Sequence, residues 1–295
     1  MALDAESTAE SLWASFRRPF ELLNAVRKTS AWPAARKILA WQMAATSALG
    51  LLLAAPSLAL DSPLASGASL FGALVAAQWV VLAFSREFQK PLARELSFLA
   101  GIEPEDDDQP PRLRLDGKWL RRRLWRRVRG TLVLIPGFLA LSPVLLLAQA
   151  AGIERFVGTP LTLLWTGYWW CSFTVARSGH AWRHENSGEL ALPVRWWMAR
   201  TRDTFGFRWF GPRWFGRFAM WATKRDAAPA VELERAPLRY LGLSLARAMT
   251  SVPVARLVFR AAIDVAVAEV LLSVEPRETP LLSEAPTPAD VPAAD

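Results

Sequence analysis

The stretch "ILAWQMAATSALGLLLAAPSLAL", Ile38 to Leu60, runs for 23 positions without one charged side chain. One residue later, Ser62 to Ser85 repeats the feat over 24 positions, with only Asp61 between the two runs. A helix rising about 1.5 Å per residue needs about 20 apolar residues to cross about 30 Å of hydrocarbon, so each run is long enough to span a bilayer. A core helix of a soluble protein seldom reaches this length without a charge. Two more such runs follow, Gly130 to Ile153 over 24 positions and Phe156 to Ala176 over 21, separated by Glu154 and Arg155. The pairing predicts an all-α, polytopic helical membrane protein with two transmembrane hairpins, about four spans, and amphipathic interfacial helices around them.

The loops give the orientation. Of the 35 Lys and Arg, six precede the first run, twelve lie between the second and third, and sixteen follow the fourth. The two short turns, expected at Asp61 and at Glu154 to Thr159, hold Arg155 alone. Lys and Arg concentrate in cytoplasmic loops, so both termini and the long central loop are expected inside. An Ala-, Arg- and Trp-rich composition suits a bacterium with a GC-rich genome, and hence the inner (plasma) membrane. The chain then divides into a cytoplasmic amphipathic segment (1–37), a first hairpin (38–85), an acidic-then-basic cytoplasmic loop (86–129) and a second hairpin (130–176). An Arg/Trp-rich interfacial segment (177–235), amphipathic or partly embedded helices (236–274) and a disordered tail (275–295) complete it. The tail's five prolines and five acids cannot support a packed core.

Within the spans the polar residues are few: Gln42, Thr46, Ser47, Gln78, Ser142, Gln149, Thr162, Thr166 and Tyr168, with no ionisable acid or base. That argues against a proton-coupled pump but leaves a passive pore open. Pro56, Pro136 and Pro143 each free a helical carbonyl and offer a kink. Residues 9–28 carry Leu12, Trp13, Phe16, Phe20, Leu23 and Val26 near helical spacing, a strip expected to lie on the membrane surface and to be interrupted at Pro19. In the helix-forming stretch 236–274, Arg256, Arg260 and Asp264 recur every fourth residue. A spanning helix would have to bury that stripe against a cavity or an ion pair, so packing against the membrane or the bundle fits better.

Two basic stretches are the candidate binding residues. "WLRRRLWRRVR" supplies Arg121, Arg122, Arg123, Arg126 and Arg127 at the headgroup-level approach to the third run. Between Arg195 and Arg225 there are eight cations, one acid and five of the fifteen tryptophans. Arg195, Trp196, Trp197, Arg200, Arg202, Arg208, Trp209, Arg213, Trp214, Arg217 and Trp221 form the set expected to meet anionic lipid headgroups and a protein partner or a second copy. Arginine seeks phosphate, and Trp settles at the membrane–water boundary. Nucleic acid would suit the same chemistry but asks for a soluble groove, which the flanking spans make a poor fit. The acidic run "EPEDDD" at 103–108 is read as a solvated loop, with pairing to the basic run as the alternative.

Catalytic and cofactor chemistry finds little support. His180 and His184 share a helical face but lack a third histidine, and a lone Cys171 falls inside the fourth run. No Gly-rich phosphate loop is present. No catalytic residue, metal or cofactor is therefore assigned.

Several segments carry a resemblance: "FRRPFELLNAVRK", the paired spans, "KPLARELSFLAGIEP", "LRRRLWRRVRGTLVLIPGF" and a terminal apolar pair broken by "TSVPVARLV". In this order they resemble the CysZ-like sulfate permease and etoposide-induced-2.4-like membrane family over most of residues 12–274. Arg247, Arg256, Arg260 and Asp264 within the terminal pair, and the Trp-Arg segment, depart from that pattern. The resemblance implies hairpin helices, some only partly penetrating, and a permease or channel for a small anion such as sulfate as the alternative function.

Overall fold

The computed structural model describes residues 2–56, 62–105, 110–113, 115, 117–182, 189–203 and 210–274. Among these residues every regular element is helical. The turn at Asp61, the acids Asp106 to Asp108, His184, Arg208, Trp209 and the tail 275–295 lie outside the described residues.

The first hairpin is α2 (Trp32–Ala54) and α3 (Pro63–Ser85), and the second is α5 (Gly117–Ala150) and α6 (Glu154–Val175). Among the described residues three helices are long and apolar enough to cross a membrane: Trp32–Ala54, Pro63–Leu99 and Gly130–Ala150, with mean hydropathies of 1.3, 1.8 and 2.3. Less than a third of each apolar window is buried within the protein. Leu52 and Leu64 near the first tip, and Leu147, Phe156 and Leu164 near the second, are exposed. Such apolar helix ends suit lipid, not water. Helix α6 is as long as the others, but Trp, Tyr, Thr and Gly take up much of its length, so its hydropathy falls short of theirs.

Proline and glycine set the ends and the contacts. Pro33, Pro63, Pro91, Pro237 and Pro253 sit in the first two positions of their helices, where a missing N–H costs nothing. Ser62 caps α3 by accepting the Ala65 N–H at 3.4 Å. The second hairpin turn lies at Ala151–Ile153, not at Glu154–Thr159, which already form the start of α6. Gly152, at φ 68°, makes this possible: its left-handed conformation lets Ile153 N–H reach the Ala148 carbonyl at 2.9 Å. Helix α5 runs through Pro136 and Pro143 without a break in assignment, and the Ser142 hydroxyl donates to the Leu139 carbonyl, which Pro143 leaves without its helical donor, at 2.8 Å. Pro56 simply falls in the short turn that ends α2.

The first hairpin is locked by amides. Gln42 Nε2 donates to the Ser85 carbonyl (3.1 Å) and hydroxyl (2.8 Å), while Gln42 Oε1 accepts from Gln89 Nε2 at 2.7 Å. Gln78 Nε2 donates to the Pro253 carbonyl at 2.6 Å, tying α3 to the start of α11 (Pro253–Val274). Gln42 and Gln78, two of the three glutamines noted in the spans, are thus structural clamps.

Helix α11 forms the centre of the core. Leu257, Ala262, Ile263, Ala266 and Val267 are almost wholly buried against α1 (Ala2–Val26), α4 (Lys90–Leu99), α10 (Pro237–Met249) and the base of the first hairpin. One expectation for α1 is corrected here: it continues through Pro19 as one helix. Its apolar strip packs in part against α10 and α11, with Leu23 and Val26 buried and Trp13 left exposed. An amphipathic helix needs an apolar partner, and α10 supplies it at close range because Gly242 lacks a side chain: a Cβ there would meet the Leu12 carbonyl at 2.3 Å. Arg18 then clamps α1 to α11 through two bonds to Glu269, from Nε at 2.8 Å and from Nη2 at 2.9 Å. The Glu269 carboxylate, chiefly by these hydrogen bonds, holds the Arg18 pKa above its ordinary value.

Candidate functional site

The Arg/Trp-rich segment folds into α7 (Leu192–Asp203) and α8 (Phe210–Thr223), followed by α9 (Ala227–Arg235), which is almost entirely buried. Helices α7 and α8 pack on each other, and α8 also packs on α5, the helix that carries Arg121, Arg122, Arg123, Arg126 and Arg127. Small residues permit the contact: a Cβ at Gly216 would lie 2.7 Å from Met198 Sδ. Along α8, Trp214 stacks on Phe218 at 5.8 Å and Phe218 on Trp221 at 6.1 Å, with both tryptophans exposed and Arg217 exposed between them. On α7, Trp196 is exposed, and the Arg200 guanidinium lies 6.0 Å from its ring. Arg121, Leu124 and Trp125 are exposed near the start of α5.

Two members of the expected set have partners within the protein, although Arg195 itself stays exposed. Arg195 Nη2 lies 3.2 Å from Glu234 Oε2, and the same carboxylate accepts from the Leu192 N–H (2.6 Å) and from the Tyr168 hydroxyl (2.8 Å). Trp197 makes an edge contact with Phe215 at 5.0 Å. These side chains fix α7 against α6, α8 and α9. Arg202 lies on α7 and Arg213 on α8, whereas Arg208 and Trp209 are among the undescribed positions.

A second site was not anticipated. At the hairpin ends away from the tips, a cavity of about 860 Å³ is bounded by the base of α3, α4, α5, α6, α10 and α11. Arg86, Lys90, Arg94, Arg177, Arg247, Arg256 and Arg260 line it, against Glu105, Asp226 and Asp264. All seven cations are half-buried, none freely exposed. The sequence places five of them there in two four-step rows. Arg86, Lys90 and Arg94 run along the turn Arg86–Gln89 and α4, and Arg256, Arg260 and Asp264 along α11, so each row occupies one helical face. The stripe on α11 that would have been costly against lipid faces this cavity.

Against these seven cations the lining holds three acids. Asp264 accepts from Arg177 Nε and lies 3.9 Å from Arg260 Nε. Glu105 accepts from the Ser178 hydroxyl at 2.6 Å and from the Gly179 N–H at 3.0 Å. His180 Nε2 stands 3.3 Å from the same carboxylate without the geometry of a hydrogen bond. Arg247 donates to Thr174 Oγ1 at 2.9 Å and lies over the Trp170 ring at 4.4 Å. Cationic charge is therefore in excess. Two like charges about 8 Å apart repel by about 2 kcal/mol at an effective dielectric constant of about 20, so an anion in this cavity relieves several such terms at once.

Among the described residues, no group of three His, Cys, Asp or Glu is arranged to hold a metal ion. Cys171 is a free thiol buried within α6. Comparisons with family models, curated proteins and solved structures return no match to this chain.

Proposed function

We propose that the chain is a non-enzymatic, multi-pass integral membrane protein whose basic, Trp-rich cytoplasmic face binds anionic lipid headgroups and engages a protein partner or a second copy. In this reading α2, α3, α5 and α6 all cross the bilayer, with both termini in the cytoplasm, as the distribution of 34 cations on one side of the spans supports. The observation that carries it is the stacked Trp214–Phe218–Trp221 row on α8, with both tryptophans and Arg217 exposed, beside the exposed Trp196 and Arg200 of α7. Rings exposed to water at such density gain by sitting among headgroups, where each nearby cation adds about 1 kcal/mol on an anionic leaflet. The partner half of the reading draws on Leu241, Leu245 and Met249, an exposed apolar row on α10.

The test uses the full chain in nanodiscs. Trypsin cleavage after Arg217 and Lys224 is expected to slow in phosphatidylglycerol discs relative to phosphatidylcholine discs, and high salt is expected to remove the difference. Equal cleavage in both lipids at low salt defeats the lipid-face reading. A second reading, passage of a small anion such as sulfate in the manner of the CysZ-like family, is favoured by the cation-lined cavity between the hairpin bases. Sulfate flux into proteoliposomes above that of empty vesicles supports it, and flux equal to the empty vesicles removes it.

A further inference from the structure

We infer that the cavity between the hairpin bases is a binding site for a phosphate-bearing anion, either a lipid headgroup or a soluble phosphate ester. It is separate from the α7–α8 face, since no described residue from 195 to 221 lines it.

Three observations carry the inference. Six of the seven cations are arginines, whose planar guanidinium groups match the oxygens of phosphate in pairs. They come from the end of α3, α4, α6, α10 and α11, so the fold gathers charge that the sequence scatters over residues 86 to 260. A solvated basic surface would leave such side chains exposed, yet all seven are half-buried. The volume, about 860 Å³, also matches a cavity for a small organic ligand and far exceeds a monatomic ion.

The lining mixes apolar and charged groups, as an amphipathic ligand requires. Trp170, Phe173 and Leu134 come from α6 and α5, and the arginine rows from α4 and α11. Gly130 and Thr131, where the apolar part of α5 begins, line the same space. The cavity therefore sits at the depth where charged chain gives way to spanning helix, which is the depth of lipid phosphates. The two hairpins meet principally through α3 and α5, and the cavity is bounded by both.

The experiment titrates the full-length, delipidated protein in neutral detergent by calorimetry with three probes: dihexanoyl phosphatidic acid, inorganic phosphate and dihexanoyl phosphatidylcholine. Saturable binding of phosphatidic acid at one per chain is expected. The double variant Lys90→Gln/Arg256→Gln should weaken it at least tenfold, whereas Arg155→Gln/Arg239→Gln, which removes two exposed charges elsewhere, should leave it within twofold. Arg256→Gln alone serves if the double variant does not fold, with a weakening of at least threefold expected. Binding of phosphatidic acid without inorganic phosphate identifies a lipid headgroup, and comparable binding of both identifies a soluble phosphate ester. Absence of saturable binding by either phosphate probe overturns the inference. So does equal binding of phosphatidylcholine, or an affinity that the cavity variants leave unchanged.

Discussion

Replacing Gly242 by alanine sets two effects of opposite sign against each other. An alanine in a helix interior is favoured over glycine by about 1 kcal/mol on propensity alone. In the fold, however, the new Cβ would stand 2.3 Å from the Leu12 carbonyl oxygen, 3.0 Å from the Phe16 nitrogen and 3.1 Å from Ser15 Cβ. Two of these are backbone atoms, so no rotamer change relieves them, and α1 and α10 must separate by about 1 Å to restore a normal contact. That separation loosens the packing of Leu243 and Tyr240 on α10 against the core that Leu22 and Val26 of α1 share. Overpacking of this kind costs about 1–3 kcal/mol or more, and with backbone as the obstacle the larger figure applies, so Gly242→Ala should be destabilised by about 2 kcal/mol net. Reversible unfolding in mixed detergent micelles measures it. Gly72, where an added Cβ meets nothing within 4 Å, supplies the control: Gly72→Ala should be neutral or slightly stabilised. A Gly242→Ala variant as stable as Gly72→Ala would refute the packing of α1 on α10.

In the first hairpin, Gln42→Leu removes two donated bonds to Ser85 and the acceptor for Gln89, leaving buried polar atoms behind. A loss of about 2–3 kcal/mol is expected in the same unfolding assay, and a loss under about 0.5 kcal/mol would show that the amide clamp is not formed. For the α1–α11 clamp, Glu269→Gln weakens a two-bond pair whose side chains are 35% and 29% exposed. Solvent screening at that exposure limits the expected cost to about 1 kcal/mol, with a double-mutant cycle against Arg18→Gln isolating the coupling. A coupling of zero would place Arg18 in solvent.

Charge-free length made the hairpins legible from the residues alone, because few structures other than a membrane span need more than twenty consecutive uncharged positions. Amphipathic pattern was less decisive. The strip on α1 has the spacing of an interfacial helix, and the same spacing serves a helix packed on other helices; the proximity of α10, permitted by Gly242, covers part of it. Helix α9 carries two acids within "AAPAVELER", yet it is buried because Glu234 meets Arg195 and Tyr168, and Glu232 meets Arg235. Nothing in the local sequence states those partners.

The surface of α7 and α8 was legible as a composition but not as a geometry. Trp197 looks like its neighbours in the sequence and packs on Phe215, and Arg195 pairs with Glu234 while staying exposed, whereas Trp196, Trp214 and Trp221 face out. The cavity escaped for a different reason: its arginines come from segments far apart in the chain. The stripe on α11 was visible, and the equal four-step row Arg86, Lys90, Arg94 was the signal that would have paired with it.

Membrane topology is the claim on which the lipid face rests most directly. In a Cys171→Ser background, Asp61→Cys and Arg155→Cys at the hairpin tips should react with a membrane-impermeant maleimide added to intact bacterial cells. Arg200→Cys and Asp290→Cys should react only after the cells are lysed. Labelling of Arg200→Cys from outside, or protection of only one of the two tips, would contradict a four-span protein with its basic, Trp-rich face in the cytoplasm.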